Sequence, residues 1–220
     1  MSRIGLTFVP EQLFCTSLQS LTIEDCGELS YIPDTSQPHI SLKIGSCPKL
    51  KCFPRIQGLR RLSISVCGFE VLTKLQLCTS LSQLYIEDCS NLKSLPDLQE
   101  FHSLAQLEIY RFRNLKSIPD LRELCFLTTL GIQDCHNIMR LPEGSLKCLK
   151  ALLEWLGNLY SLKKLRIREC NNLMYLPTTT TRLIRLEELN IWYCSKLMER
   201  CTEGSGAEWL KISHIPKISV

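Results

Sequence analysis

The sequence predicts an α/β repeat, a curved solenoid with a concave parallel β-sheet and a mostly irregular convex side. Three observations carry this. Apolar residues recur at fixed offsets, with Leu81, Leu84, Ile86, Cys89, Leu92, Leu95 and Pro96 at 0, +3, +5, +8, +11, +14 and +15. The pattern restarts at Leu18, His39, Leu59, Leu81, Leu104, Leu127, Leu162 and Leu186, giving spacings of 21, 20, 22, 23, 23, 35 and 24 residues. Within each copy an apolar-polar-apolar triplet such as Leu84-Tyr85-Ile86 marks a short strand with one face inward.

Strands that return in the same direction after so few residues pair in parallel, without room for a long crossover helix. The position after each strand is Cys26, Cys47, Cys67, Cys89, Cys135, Cys170 or Cys194, with Phe112 in the one remaining copy. A small side chain with a weak S–H donor suits a tight buried corner there. The Leu-x-x-Leu/Ile-Pro tail then returns along the outer side, where proline opposes a regular helix. The copy from Leu59 is shortened, with Phe69 and Leu72 but no proline.

The expected organisation is a partial N-terminal repeat at 1–16, an array of about eight repeats at 17–200, and a C-terminal cap at 201–220. In the first segment Leu6, Phe8, Pro10, Leu13 and Phe14 read as the tail half of an earlier repeat whose natural neighbour is missing. An insertion at 143–161 reads as a helical convex segment or a degenerate repeat packed on the core, with a protruding contact element as the alternative: Ser145 is placed to cap a run with Leu146, Leu149, Leu152, Leu153 and Leu156 on one face, ending at Gly157. Thr178 to Thr181 reads as a solvated loop. In the last segment Trp209, Ile212, Ile215 and Ile218 recur every three residues and are expected to cover the open end of the sheet.

The 26 basic and 22 acidic residues are mixed along the 220-residue chain, and a net charge of +4 gives no reason to expect a nucleic-acid partner. No run approaches the roughly 18 to 20 apolar residues of a membrane span. Seven of the 13 cysteines are explained by the repeat, the count is odd, and neither a signal peptide nor an Asn-x-Ser/Thr sequon is found. The expectation is a reducing setting, the cytoplasm or nucleus. His39, His102, His136 and His214 are scattered and no Cys-x-x-Cys pair occurs, so no catalytic residue, metal site or cofactor is expected.

The repeat is identified as a leucine-rich repeat. Its form, Leu-x-x-Leu-x-Ile-x-x-Cys-x-x-Leu-x-x-Leu-Pro, and the closing Trp209-Leu210-Lys211-Ile212-Ser213-His214-Ile215-Pro216 resemble the repeat domain of plant intracellular nucleotide-binding leucine-rich-repeat (NBS-LRR) disease resistance proteins. The resemblance implies a non-enzymatic sensor of plant innate immunity. It would recognise a pathogen effector or a guarded host protein, and would restrain a nucleotide-binding switch, the receptor's own domain. No Gly-x-x-x-x-Gly-Lys-Ser/Thr loop occurs in this sequence, so the switch itself is not carried over. The rival reading is the substrate-recognition repeat domain of an F-box-type ubiquitin-ligase adaptor.

Recognition is expected at outward strand positions. One patch comprises Tyr85, Glu87, Glu108, Tyr110 and Arg111, an aromatic centre with mixed charge. A second comprises Lys163, Lys164, Arg166 and Arg168 beside Trp192 and Tyr193, cations and aromatics that suit an acidic protein surface.

Overall fold

The computed structural model describes residues 7–10, 18–35, 41–51, 53–56, 58–66, 75, 78–89, 92–95, 97–116, 118, 121, 123–138, 159–176, 180–181 and 183–220. The expectations for His39, Cys67, Phe69, Leu72, Pro96, Pro119, Pro142, Pro177 and the run from Ser145 to Gly157 lie outside these residues.

Each described copy forms one five-residue strand: β1 Ser20–Glu24, β2 Ser41–Gly45, β3 Arg61–Ser65, β4 Gln83–Glu87, β5 Gln106–Tyr110, β6 Thr129–Gln133, β7 Lys164–Arg168 and β8 Glu188–Trp192. Two short helices follow, α1 Ser195–Arg200 and α2 Trp209–Ile212, and then β9 Lys217–Ser219. The strands make one nine-stranded sheet in sequence order, and every neighbouring pair is parallel. Register does not slip. Leu84 lies beside Leu62 and Leu107, and Ile86 beside Ile64 and Ile109, so leucines and isoleucines form two continuous buried rows. This is a leucine-rich-repeat solenoid, with little helix among the described residues.

The corner after each strand is a left-handed residue. Asp25, Ser46, Val66, Asp88, Arg111, Asp134, Glu169 and Tyr193 all have φ between 50 and 54. In the first seven the kink aims the N–H along the stack, where it meets the last strand carbonyl of the next repeat: Asp25 donates to Gly45 at 3.1 Å, Asp88 to Tyr110 at 3.0 Å and Glu169 to Trp192 at 2.9 Å. The cysteine of that next repeat donates its thiol to the same carbonyl, as Cys47 does to Gly45 at 3.2 Å and Cys194 to Trp192 at 3.3 Å. Cysteine suits this corner because its thiol is apolar enough to be buried and still gives the carbonyl a second donor.

Aspartate tolerates the left-handed region and a β-branched residue does not. Val66 is 48% exposed and therefore loses little packing on replacement. Val66→Asn is expected to raise stability by about 1 kcal/mol, read as a higher urea midpoint at unchanged slope. A lower midpoint would contradict the strain at this corner.

Burial pushes the thiols of Cys78 and Cys135 up to about 11 and that of Cys201 to about 12 from an ordinary 9.0. Cys125 is exposed. Alkylation of the native chain near pH 8 is expected to label Cys125 and spare those three; rapid labelling of Cys135 would refute the buried corner. The unfolded chain ionises its thiols near 9.0 while the folded chain keeps these protonated. Their contribution to stability is thus full below that pH and falls as pH rises toward 11.

A second set of inward positions precedes each strand. Leu98, Phe101 and Leu104, and likewise Leu121, Leu124 and Leu127, are buried and joined by successive turns, Phe101 N–H to Leu98 at 3.1 Å and Leu104 N–H to Phe101 at 3.0 Å. Thr180 occupies this slot before β8 and is fully buried, which corrects the reading of a wholly solvated loop; Thr181 is exposed. At the front, Val9 is buried and Phe8 is 57% exposed. Phe8 bridges Tyr31, so Val9-Pro10 corresponds to Ile32-Pro33 and the inward residue is Val9.

At the far end Ile218 of β9 continues the leucine row beside Leu189, and Ile212 and Ile215 are buried below it. Gly206 lies against the backbone of α1, where a Cβ would overlap the Arg200 carbonyl. Glu208, 3% exposed, accepts from Leu176 N–H at 3.0 Å, Lys211 Nζ at 2.6 Å and Arg200 Nη2 at 3.5 Å. Lys211 Nζ also reaches the Leu176 carbonyl at 3.2 Å. One carboxylate thereby ties α2 to the convex side of the β7 repeat.

Candidate protein-binding face

The concave face consists of the first, third and fifth residues of each strand, because the second and fourth point into the core. Its width is five residues, and its length is set by the number of strands. Lateral register brings the first predicted patch together: Tyr85 lies beside Glu108, and Glu87 beside Tyr110. Arg111, at the left-handed corner, closes an ion pair on Glu87.

Glu108 has a different role from the accessible contact expected of it. It occupies an outward position but is only 3% exposed. The Gln106 amide donates to its Oε1 at 3.1 Å, and the Tyr110 hydroxyl to its Oε2 at 3.0 Å. The space it fills exists because its neighbour on β6 is Gly131, where a Cβ would overlap the carboxylate. Glu108 therefore supports the aromatic centre from beneath. Burial and the Glu108 charge push the Tyr110 phenol well above its usual value, and the same two causes raise Tyr85.

In the second patch the cations are already partnered. Lys163 lies 3.3 Å from Glu187, Lys164 3.5 Å and Arg166 3.8 Å from Glu188, and Arg168 2.9 Å from Glu169. Asn190 donates to Glu188 at 2.7 Å, and that bond, then Lys164 and Arg166, holds this carboxyl below the usual range. The sequence reading missed Glu187 and Glu188. Their signal was available, since Leu186-Glu187-Glu188-Leu189 aligns with Leu162-Lys163-Lys164-Leu165 one repeat earlier, placing opposite charges side by side.

Trp192 donates its indole N–H to Ser219 at 2.9 Å and remains 40% exposed, and Tyr193 is 67% exposed. The Arg168 guanidinium lies 5.4 Å from the Tyr193 ring centre. Arg168, Trp192, Tyr193, Ser195, Met198 and Val220 line a groove of about 690 Å³ at this end of the face. What this arrangement offers is shape, aromatic surface and locally paired charge. Among the described residues no group of three or more histidine, cysteine or acidic side chains is placed to hold a metal, and no helix is long and apolar enough to cross a membrane.

No protein-family model matches the sequence, and no curated protein matches it. Among solved structures, it is similar to the leucine-rich repeat domain of the type III effector XopL, at 20% identity and a TM-score of 0.56, covering 98% of this chain and 73% of that one. It also matches a leucine-rich-repeat protein of Leptospira interrogans at 18% identity and a TM-score of 0.43, covering 86% of this chain and 58% of that one. An internalin from Listeria monocytogenes matches at 15% identity and a TM-score of 0.34, covering 93% and 61%. At this level of identity the likeness to the XopL domain is one of architecture, and by that architecture the chain is a leucine-rich-repeat domain.

Proposed function

We propose that this chain is a non-enzymatic protein-recognition module that binds a protein partner through its concave face. One observation carries the reading: the buried rows are uniform from repeat to repeat, while the outward residues beside them change at every strand, from Tyr85 to Glu108 to Gly131 to Arg166. A frame that is constant inside and varied outside gives each strand its own side chains at the surface, which suits recognition of one particular partner. Tyr, Trp and Arg, the residue types that dominate interface energetics, are concentrated there.

The finer reading is a recognition domain of an NBS-LRR type plant receptor working in the cytoplasm or nucleus. Its partner would be a pathogen effector, a guarded host protein, or the receptor's own nucleotide-binding domain. It is supported by the Leu-x-x-Leu-x-Ile-x-x-Cys form of the repeat and by the closing Trp209 to Pro216 segment.

Photo-cross-linking tests the reading. A benzophenone side chain at Trp192 on the concave face is expected to capture a discrete protein from extracts of the cells that make this chain, whereas the same group at Tyr160, exposed in the turn before β7, is not. Arg166→Glu combined with Arg168→Glu should reduce capture at least tenfold. The same change should move unfolding by less than about 1 kcal/mol, because both arginines sit in solvent-accessible pairs. Equal capture from both positions, or unchanged capture by the double variant, would overturn the assignment of the face.

A further inference from the structure

Four carboxylates occupy outward strand positions: Glu24, Glu87, Glu108 and Glu188. Three are met by cations, Glu24 by Lys43 at 2.7 Å, Glu87 by Arg111, and Glu188 by Lys164 and Arg166. Glu108 is the exception. Among the described residues it has two neutral donors, Gln106 and Tyr110, and no ion-pair partner. It is also the most buried of the four, so its charge is the least screened by water.

The groups around it are arranged for a cation. The proton of the Tyr110 hydroxyl is committed to Glu108, which leaves only acceptor lone pairs directed away from the carboxylate. Tyr85 stands beside Glu108 on β4. Both tyrosines are half-buried, so part of each remains open to the concave side. On the other flank Gly131 contributes no side chain, and Arg166, beyond it, is turned to Glu188 at 3.8 Å.

Resting on the recognition reading above, we propose that Tyr110, Glu108 and Tyr85 form an acceptor site for a basic side chain, a lysine or arginine, of the protein partner. The incoming N–H groups donate to the Tyr110 oxygen, the cation lies against the tyrosine rings, and Glu108 supplies the opposing charge from directly beneath. A partner that contacts both predicted patches then presents a basic residue at the centre of the face, where composition alone suggested only mixed charge.

The test uses the whole chain and two probes, N-acetyl-arginine amide and N-acetyl-glutamate amide, with the backbone amides of Tyr110 and Gly131 followed by NMR. The arginine probe is expected to shift both amides saturably and the glutamate probe neither. Glu108→Gln keeps the size, removes the charge and turns one of the two acceptor oxygens into a donor, and should weaken the arginine probe at least tenfold. Tyr110→Phe, which leaves Glu108 in place, should weaken it severalfold and decides the matter if the first variant is poorly folded. Affinity within twofold of the parent for both variants, or shifts that never saturate, would overturn the site. If the probe fails while cross-linking from Trp192 succeeds, this site alone is wrong; if both fail, the recognition reading falls with it.

Discussion

Leu107→Asp is expected to leave no folded protein at room temperature. Leu107 is fully buried in β5, the central strand, with Leu84 on one side and Leu130 on the other. No basic group lies in that row, so the aspartate is either buried unpaired or protonated, and either outcome costs several kcal/mol. Domains of this kind have only about 5–15 kcal/mol in total. In a solenoid each repeat is held by its neighbours, and a break in the middle exposes two apolar ends at once. Far-UV circular dichroism in a urea series should therefore show loss of the whole transition. Leu21→Asp, in the first strand, is expected to fray that end and leave the remaining sheet intact. A native spectrum for Leu107→Asp would refute the continuous row as the source of stability.

Glu208→Ala has the next largest expected effect. The substitution leaves Lys211, Arg200 and the Leu176 N–H without their shared acceptor in a site where the carboxylate was 3% exposed. Removing one member of a buried charged cluster costs about 3–5 kcal/mol. The loss is local in origin, so hydrogen exchange should accelerate first in α2 and β9. Glu208→Gln keeps an acceptor for Leu176 and should cost less. A midpoint for the alanine variant within about 1 kcal/mol of the parent would mean that packing of Ile212 and Ile215, and not the carboxylate, secures this end.

How far these features could be read from sequence depends on whether a residue's environment is local. The strands, their direction and the cysteine corner repeat with fixed offsets, and each is visible within one copy. The left-handed corner was partly legible, since Asp25, Asp88 and Asp134 share one offset and aspartate tolerates that conformation; the other copies place Ser, Val, Arg, Glu and Tyr there and obscure it. The inward positions before each strand were missed because Ile56, Cys78, Phe101 and Leu124 share one slot without sharing a residue type, and Thr180 stands in the slot that Leu98 and Leu121 fill elsewhere. Glu108 is the clearest case of a nonlocal cause. Whether a glutamate at an outward position stands free or lies down depends on the next repeat, and here the next repeat supplies a glycine. The same holds for the second patch, whose net character is decided by acids one repeat away.

The ladder that joins each corner N–H to the following strand has a mechanical consequence. All of its bonds, like those of the sheet, run along the axis of the stack, so tension between the two ends loads them in series. A solenoid stretched this way yields one turn at a time at low force, each turn releasing about 22 residues or roughly 75 Å of chain. Pulled across the strands it would resist as a block. The molecule is thus a compliant spring in one direction and a stiff plate in the other, and a partner gripping several adjacent strands would lock the spring.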